Sequence, residues 1–203
     1  MEIALLLDGD FTRRLLRRKI KHYPSVSELE LFCRSILLPG ESLFKTYFYD
    51  SPPFDEKKML LVSKKTLDFK TTAVYAQATS FQQSLKQNPF FVFRRGHLSF
   101  DGWTLKESSV GRLLRNPGPL TDQDFEPVLA QKQVDMKIGL DVAKLSIGRR
   151  VERIVLATSD ADFIPVIHFA QGYDIEVILL SDVAAVRRTK GALLKAFDSH
   201  RIV

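Results

Sequence analysis

Two close pairs of aspartates, with a fifth between them in sequence, are the residues of this chain best suited to chemistry. Asp8 and Asp10 stand in Leu5-Leu6-Leu7-Asp8-Gly9-Asp10, Asp160 and Asp162 in Ser159-Asp160-Ala161-Asp162-Phe163, and Asp135 lies between. Asp8 and Asp160 each follow a short apolar run, Ile3–Leu7 and Ile154–Ala157. Such runs form buried strands of parallel sheets. Carboxylates at the carboxyl ends of neighbouring parallel strands meet in the crevice where open α/β sheets carry their sites. Several carboxylates in one crevice repel one another unless a hard cation lies between them. The pattern therefore predicts a site for Mg²⁺ or Mn²⁺.

Each acid also has a plainer use. Gly9 gives the strand end a sharp turn, and Asp10 returns a second carboxylate to the side of Asp8. Either could instead cap a helix beginning near Phe11 or Thr12. Asp162 could cap the helix that starts at Phe163, where Pro165 suits the first turn. Capping and cation binding are compatible, since one oxygen can serve each. Ser159 could donate to a phosphate or to a cation's water. Asp135 sits on a helix and borders its packed face. Asp141 falls within the apolar row of that helix and needs a cation, a backbone donor or an ion-pair partner. Lys132 and Lys137 flank it, and suit a solvated face equally well.

Positioning these residues requires alternating strands and helices. Strands are expected at Ile3–Leu7, Leu43–Tyr49, Phe90–Phe93, Arg153–Ala157 and Glu176–Leu180. Helices are expected at Phe11–Lys21, 25–38 (capped by Ser25 or Ser27), 72–87, 127–147, Phe163–Gln171 and 184–197. Residues 97–106 surround Asp101-Gly102, a turn dipeptide that favours a β-hairpin. The reading is an α/β three-layer fold with a central, mostly parallel sheet. It treats residues 1–203 as one domain carrying a β-hairpin insertion at about 96–126.

Composition narrows the class. The chain has 203 residues, 45% hydrophobic and 27% charged, ordinary for a globular protein. No apolar run approaches the roughly 20 residues needed to span a bilayer. The first residues lead straight into a strand without a leader-like pattern, and Cys33 is the single cysteine. A cytoplasmic protein is expected, and a homo-oligomer is compatible with the sequence. The four scattered histidines, the lack of a Gly-x-Ser-x-Gly elbow and the lack of a glycine-rich phosphate loop argue against hydrolase triads and nucleotide-binding loops. The net charge is +6, and Arg13, Arg14, Arg17, Arg18, Lys19 and Lys21 crowd the segment after the Asp8 strand. That is either a solvated helix face or a track for a phosphate backbone beside the acids. Trp103 is either part of a core or a surface on which a base stacks.

These residues together resemble a known family. The opening strand-Asp8-Gly9-Asp10, the helix Lys132-Gln133-Val134-Asp135 through Asp141, and Thr158-Ser159-Asp160-Ala161-Asp162-Phe163-Ile164-Pro165 are similar to NYN domains, the LabA/DUF88 branch of the PIN-like nuclease superfamily. The chain departs from the family at two points. The glycine usual before the Asp160 equivalent is missing, and Phe11 stands where an asparagine is common. The resemblance implies a PIN-like fold and metal-dependent hydrolysis of RNA phosphodiesters, endonucleolytic in the first instance and on single-stranded RNA. It implies Asp8, Asp135, Asp160 and Asp162 as catalytic metal-binding acids, with Asp10, Asp141 and Ser159 in support. Arg13, Arg14, Arg17 and Arg18 would then bind RNA. Two other functions fit the same residues. One is a noncatalytic RNA- or protein-binding NYN relative. The other is a haloacid-dehalogenase-type phosphatase, whose Asp-x-Asp-x-Thr motif matches Asp8, Asp10 and Thr12, with Asp8 as nucleophile.

Overall fold

In the computed structural model, which describes residues 1–203, the chain runs β1 (Glu2–Asp8), α1 (Gly9–Ile20), α2 (Val26–Ser35), β2 (Ser42–Asp50), β3 (Lys57–Met59), β4 (Thr66–Asp68), α3 (Ala73–Gln87), β5 (Phe91–Arg95), β6 (His97–Leu105), α4 (Glu107–Arg115), β7 (Phe125–Lys132), α5 (Val134–Ile147), β8 (Arg153–Ala157), α6 (Ile164–Gln171), β9 (Glu176–Ser181), α7 (Val183–Val186), α8 (Gly191–Ala196) and β10 (Ser199–Ile202). Two compact units emerge. Met1–Asp50, Phe81–Gly96 and Gln133–Val203 form the first, and Ser51–Ser80 with His97–Lys132 the second. No helix is long and apolar enough to cross a membrane.

The first unit is built on a six-stranded sheet in the order β10-β9-β8-β1-β2-β5, with every neighbouring pair parallel. The apolar run of β1 makes it the centre, because both its faces must be covered. Ile3, Leu5 and Leu7 pack among Phe11, Leu15 and Leu16 of α1 and Leu29, Phe32 and Cys33 of α2. Ala4 and Leu6 pack on the opposite side with Val134, Ile138 and Val142 of α5, Ile167 of α6 and Leu193 of α8. At about 2 kcal/mol for each large side chain removed from water, these two cores outweigh local propensity in fixing the sheet. The result is helix, sheet, helix. Register aligns the strand ends: Asp8 lies opposite Tyr49, Tyr49 opposite Arg94, and Leu7 opposite Ala157.

The second unit holds two antiparallel ribbons, β3 with β4 and β6 with β7. Phe54 stacks on Phe100 and Phe69 on Trp103, with ring centroids 5.7 and 6.2 Å apart. The Trp103 indole N–H donates to the Met59 carbonyl at 3.1 Å, so this ring is part of the packing.

Several local expectations need correction. Asp101-Gly102 is no hairpin turn. The chain passes straight through it in β6, and Gly102, at φ +119°, forms a bulge against β7. Residues 127–132 are strand, not helix, because they pair with β6, and Gln133 at φ +70° separates them from α5. The helix expected over 25–38 stops at Ser35. The one expected over 184–197 is two short helices, and the chain then adds β10 to the edge of the sheet.

Candidate functional site

Asp8 ends the central strand and caps α1. Its Oδ1 accepts from the backbone N–H groups of Asp10 at 3.0 Å and Phe11 at 3.3 Å. The cap uses one oxygen and leaves Oδ2 for another ligand. Gly9 makes this geometry possible. A Cβ there would lie 2.6 Å from the Tyr49 carbonyl oxygen and 2.9 Å from the Phe48 ring, so only glycine lets α1 start so close to β2. Burial pushes the Asp8 carboxyl up to about 6, the neighbouring charges of Asp10 and Asp135 add to that, and the two capping N–H groups oppose it.

The other acids gather around the same end of the sheet. Asp135 occupies the first turn of α5. Its carboxyl is raised by desolvation and then by the charges of Asp160 and Asp162. Asp160 and Asp162 follow the buried Thr158 at the end of β8, the strand beside β1. Asp160 caps a short 3-10 turn, accepting from the Asp162 N–H at 2.9 Å through Oδ1, while its own N–H donates to the Thr158 hydroxyl. Ser159 is exposed beside it. Asp135 thus bears electrostatically on Asp8, and Asp160 and Asp162 bear on Asp135. All four are oxygen donors, the right kind for a hard divalent cation, and their mutual repulsion is what such a cation relieves. Their convergence is incomplete: no three acidic, histidine or cysteine side chains stand close enough to form a metal-holding group.

The supporting residues divide. Asp10 forms a surface ion pair with Arg14 at 2.6 Å. Asp141 is buried, and its Oδ2 accepts from Arg94 Nε at 2.8 Å and the Tyr49 hydroxyl at 3.0 Å, while Oδ1 accepts from Arg94 Nη2 at 2.9 Å. The ion-pair partner required by its apolar row is therefore Arg94. Of the arginines on α1, Arg13 is turned inward in a bidentate pair with Asp50 and Arg18 pairs with Asp182, while Arg14 and Arg17 are exposed.

Asp50, which sequence reading passed over, is buried at the end of β2 and also accepts from Gln82 Nε2 at 2.9 Å. Its signal was the one that marked Asp8: an acid directly after an apolar stretch, Tyr47-Phe48-Tyr49. Tyr49 and Arg94 were missed because their roles depend on which strands are neighbours. The phosphatase motif finds no matching geometry. Gly9 is already helical, Asp10 lies at the surface with Arg14, and Thr12 is fully buried with its hydroxyl unpartnered. The three are not presented together on a loop.

Comparison with curated proteins yields no match. Among solved structures, a protein of unknown function from Vibrio parahaemolyticus is similar at 15% identity and a TM-score of 0.54, with 100% of this chain and 92% of that one covered. At that identity the likeness concerns the fold, and it extends over both units. The model of the NYN domain matches residues 54–202, a stretch that contains Asp135, Asp141, Ser159, Asp160 and Asp162 and begins after Asp8 and Asp10. The parallel sheet between two helical layers is of the PIN-like α/β/α kind, and with the match covering most of its length the chain belongs to the NYN domain family of the PIN-like nuclease superfamily.

Proposed function

We propose that this protein is a metal-dependent ribonuclease acting on single-stranded RNA, cutting internally. The observation that carries the reading is the placement of Asp8 at the carboxyl end of β1, and of Asp160 and Asp162 just past that of the neighbouring parallel strand β8, in an NYN domain. Asp8, Asp135, Asp160 and Asp162 would hold Mg²⁺ or Mn²⁺. When bound, the ion supplies positive charge against the phosphate and lowers the pKa of the attacking water. The residues of the chain do the remaining work. Asp8 and Asp160 keep Oδ2 clear of their capping bonds, Ser159 donates to a phosphate oxygen, and Arg14 and Arg17 hold the backbone beyond the acids.

The test is cleavage of a labelled single-stranded RNA with Mn²⁺ or Mg²⁺. Cutting is expected with either ion, abolished by EDTA and by Asp160→Asn, and cutting of a circular RNA would establish internal cleavage. Intact RNA under every metal condition would sink the reading. The incomplete convergence of the acids favours one second reading, a noncatalytic RNA-binding relative. Its mark is tight RNA binding that is insensitive to EDTA and to Asp160→Asn.

A further inference from the structure

We propose that Arg94 is a positioning residue for Asp135, acting through Asp141 and Tyr49 to set the first turn of α5 over the strand ends. The inference rests on the nuclease reading for its functional consequence. Arg94 and Tyr49 are register partners on β5 and β2, and both reach Asp141 on α5. The hydrogen bonds to the Asp141 carboxylate come from Tyr49 and Arg94, so it has the environment of an anchor, and it lies six residues, about 9 Å along the axis, from Asp135. The guanidinium is itself fixed. It lies over the Tyr47 ring, 5.4 Å from the centroid, and Tyr47 stacks on Tyr49.

A second contact points the same way. Lys137 Nζ donates to the carbonyl of Arg95 at 2.5 Å. Lys137 and Asp141 are one helical turn apart on α5, and Arg94 and Arg95 are consecutive on β5. Two points on one helix face therefore meet two consecutive residues of one strand end. Nothing caps α5 from within: Gln133 makes no side-chain cap bond and holds a left-handed φ of +70°. The clamp therefore adds to the packing of Val134 and Ile138 in placing Asp135. The reach of Asp135 toward Asp8 and toward Asp160 and Asp162 follows from it.

The experiment compares Arg94→Met, Arg94→Lys, Tyr49→Phe and Asp141→Asn with the unaltered protein. Mn²⁺ affinity is read by water-proton relaxation, and kcat and KM are read on RNA. Arg94→Met is expected to weaken Mn²⁺ binding and lower kcat by about 10- to 100-fold, with KM for RNA unchanged. Arg94→Lys should recover part of both losses, and Tyr49→Phe, which keeps its shape, should show a smaller loss in the same direction. Mn²⁺ affinity and kcat unchanged in Arg94→Met and Tyr49→Phe overturn the proposal. So does loss of Mn²⁺ binding on Asp141→Asn alone, which would make Asp141 a ligand. If the unaltered protein neither binds Mn²⁺ nor cuts RNA, the nuclease reading fails separately. Hydrogen exchange then decides the clamp: faster exchange at residues 135–138 in Arg94→Met, with β1 still protected, supports it, and unchanged exchange overturns it.

Discussion

Asp8 and Tyr49 occupy the same register position on adjacent parallel strands, at the carboxyl end of the sheet. From that shared row Tyr49 reaches Asp141 on α5, and Asp8 feels the charge of Asp135 on the same helix. One row of the sheet therefore carries both a candidate metal ligand and part of the structure that places its neighbour.

The Asp8 carboxyl predicts an unusual pH dependence. It keeps its proton up to about pH 6 in the folded chain, against an ordinary value of 3.8. Between those values the folded state binds more protons than the unfolded state, so stability falls as pH rises across the interval and stays lower above it. Asp8→Asn removes that cost while an amide oxygen can still cap α1. The variant is expected to be more stable at pH 7.5 by about 2 kcal/mol, with no gain at pH 3. Mn²⁺ should raise the Tm of the unaltered protein at pH 7.5 and leave that of Asp8→Asn unmoved. Urea denaturation at the two pH values and melting with and without Mn²⁺ check both outcomes. An Asp8→Asn variant that gains nothing at pH 7.5 would contradict the half-buried, repelled carboxyl.

Gly9→Ala is expected to destabilise the protein by about 2 kcal/mol, because the added methyl meets backbone that cannot yield easily. The Tyr49 carbonyl at 2.6 Å and the Phe48 ring at 2.9 Å both belong to β2, next to the centre of the sheet. In a domain of this size the change should lower Tm by about 6 °C. A melting curve that overlays the original would mean that α1 starts elsewhere.

What sequence reading could and could not see follows from range. Asp8 and Asp160 were legible because a buried strand announces itself locally, as Leu5-Leu6-Leu7 and Val155-Leu156-Ala157 do, and the acid follows. The partner of Asp141 was not, because Arg94 is 47 residues away and meets it only through the β2-β5 pairing. The hairpin at Asp101-Gly102 failed for a related reason. A glycine with positive φ serves a turn or a bulge, and only the distant strand β7 decided for the bulge. Residues 127–132 read locally as helix because their strand partner, β6, lies before α4.

At the amino ends of the strands, Glu41 carries a second linkage of opposite sign. Its side chain is 2% exposed, accepting from Arg201 at 2.7 and 3.0 Å, from Arg153 at 3.2 Å and from the Leu38 N–H at 2.8 Å. Desolvation pushes its carboxyl up, but the Arg201 hydrogen bonds, the Leu38 N–H and Arg153 together hold it below its ordinary value. Stability from this group is present above that value and is lost as pH falls through the lowered one. Arg201→Met should cost about 3 kcal/mol at pH 7, since it strips a buried carboxylate of its main partner. Measured by urea denaturation, the loss should shrink near pH 3.5. An equal loss at both pH values would assign it to packing alone.

The basic helix separates into residues that hold the fold and residues free to meet RNA. Arg13 is bound inside to Asp50 and Arg18 to Asp182 at 2.6 Å. Arg14 pairs only with the surface carboxylate of Asp10, and Arg17 is exposed with no carboxylate partner among the ion pairs of the chain. Surface pairs such as Arg14–Asp10 contribute little and yield readily to a phosphate. Arg14→Glu with Arg17→Glu should therefore weaken single-stranded RNA binding and reduce the dependence of log K on log salt by about 1.4, roughly 0.7 for each phosphate that these arginines neutralise. The double variant should melt at the original temperature. Arg13→Met should do the reverse, lowering Tm because Asp50 is left buried with Gln82 as its remaining polar side-chain partner, and changing the salt slope little. Fluorescence anisotropy with a labelled RNA across a salt series reads the slopes. An unchanged slope in the Arg14 and Arg17 variant would place the RNA backbone away from α1.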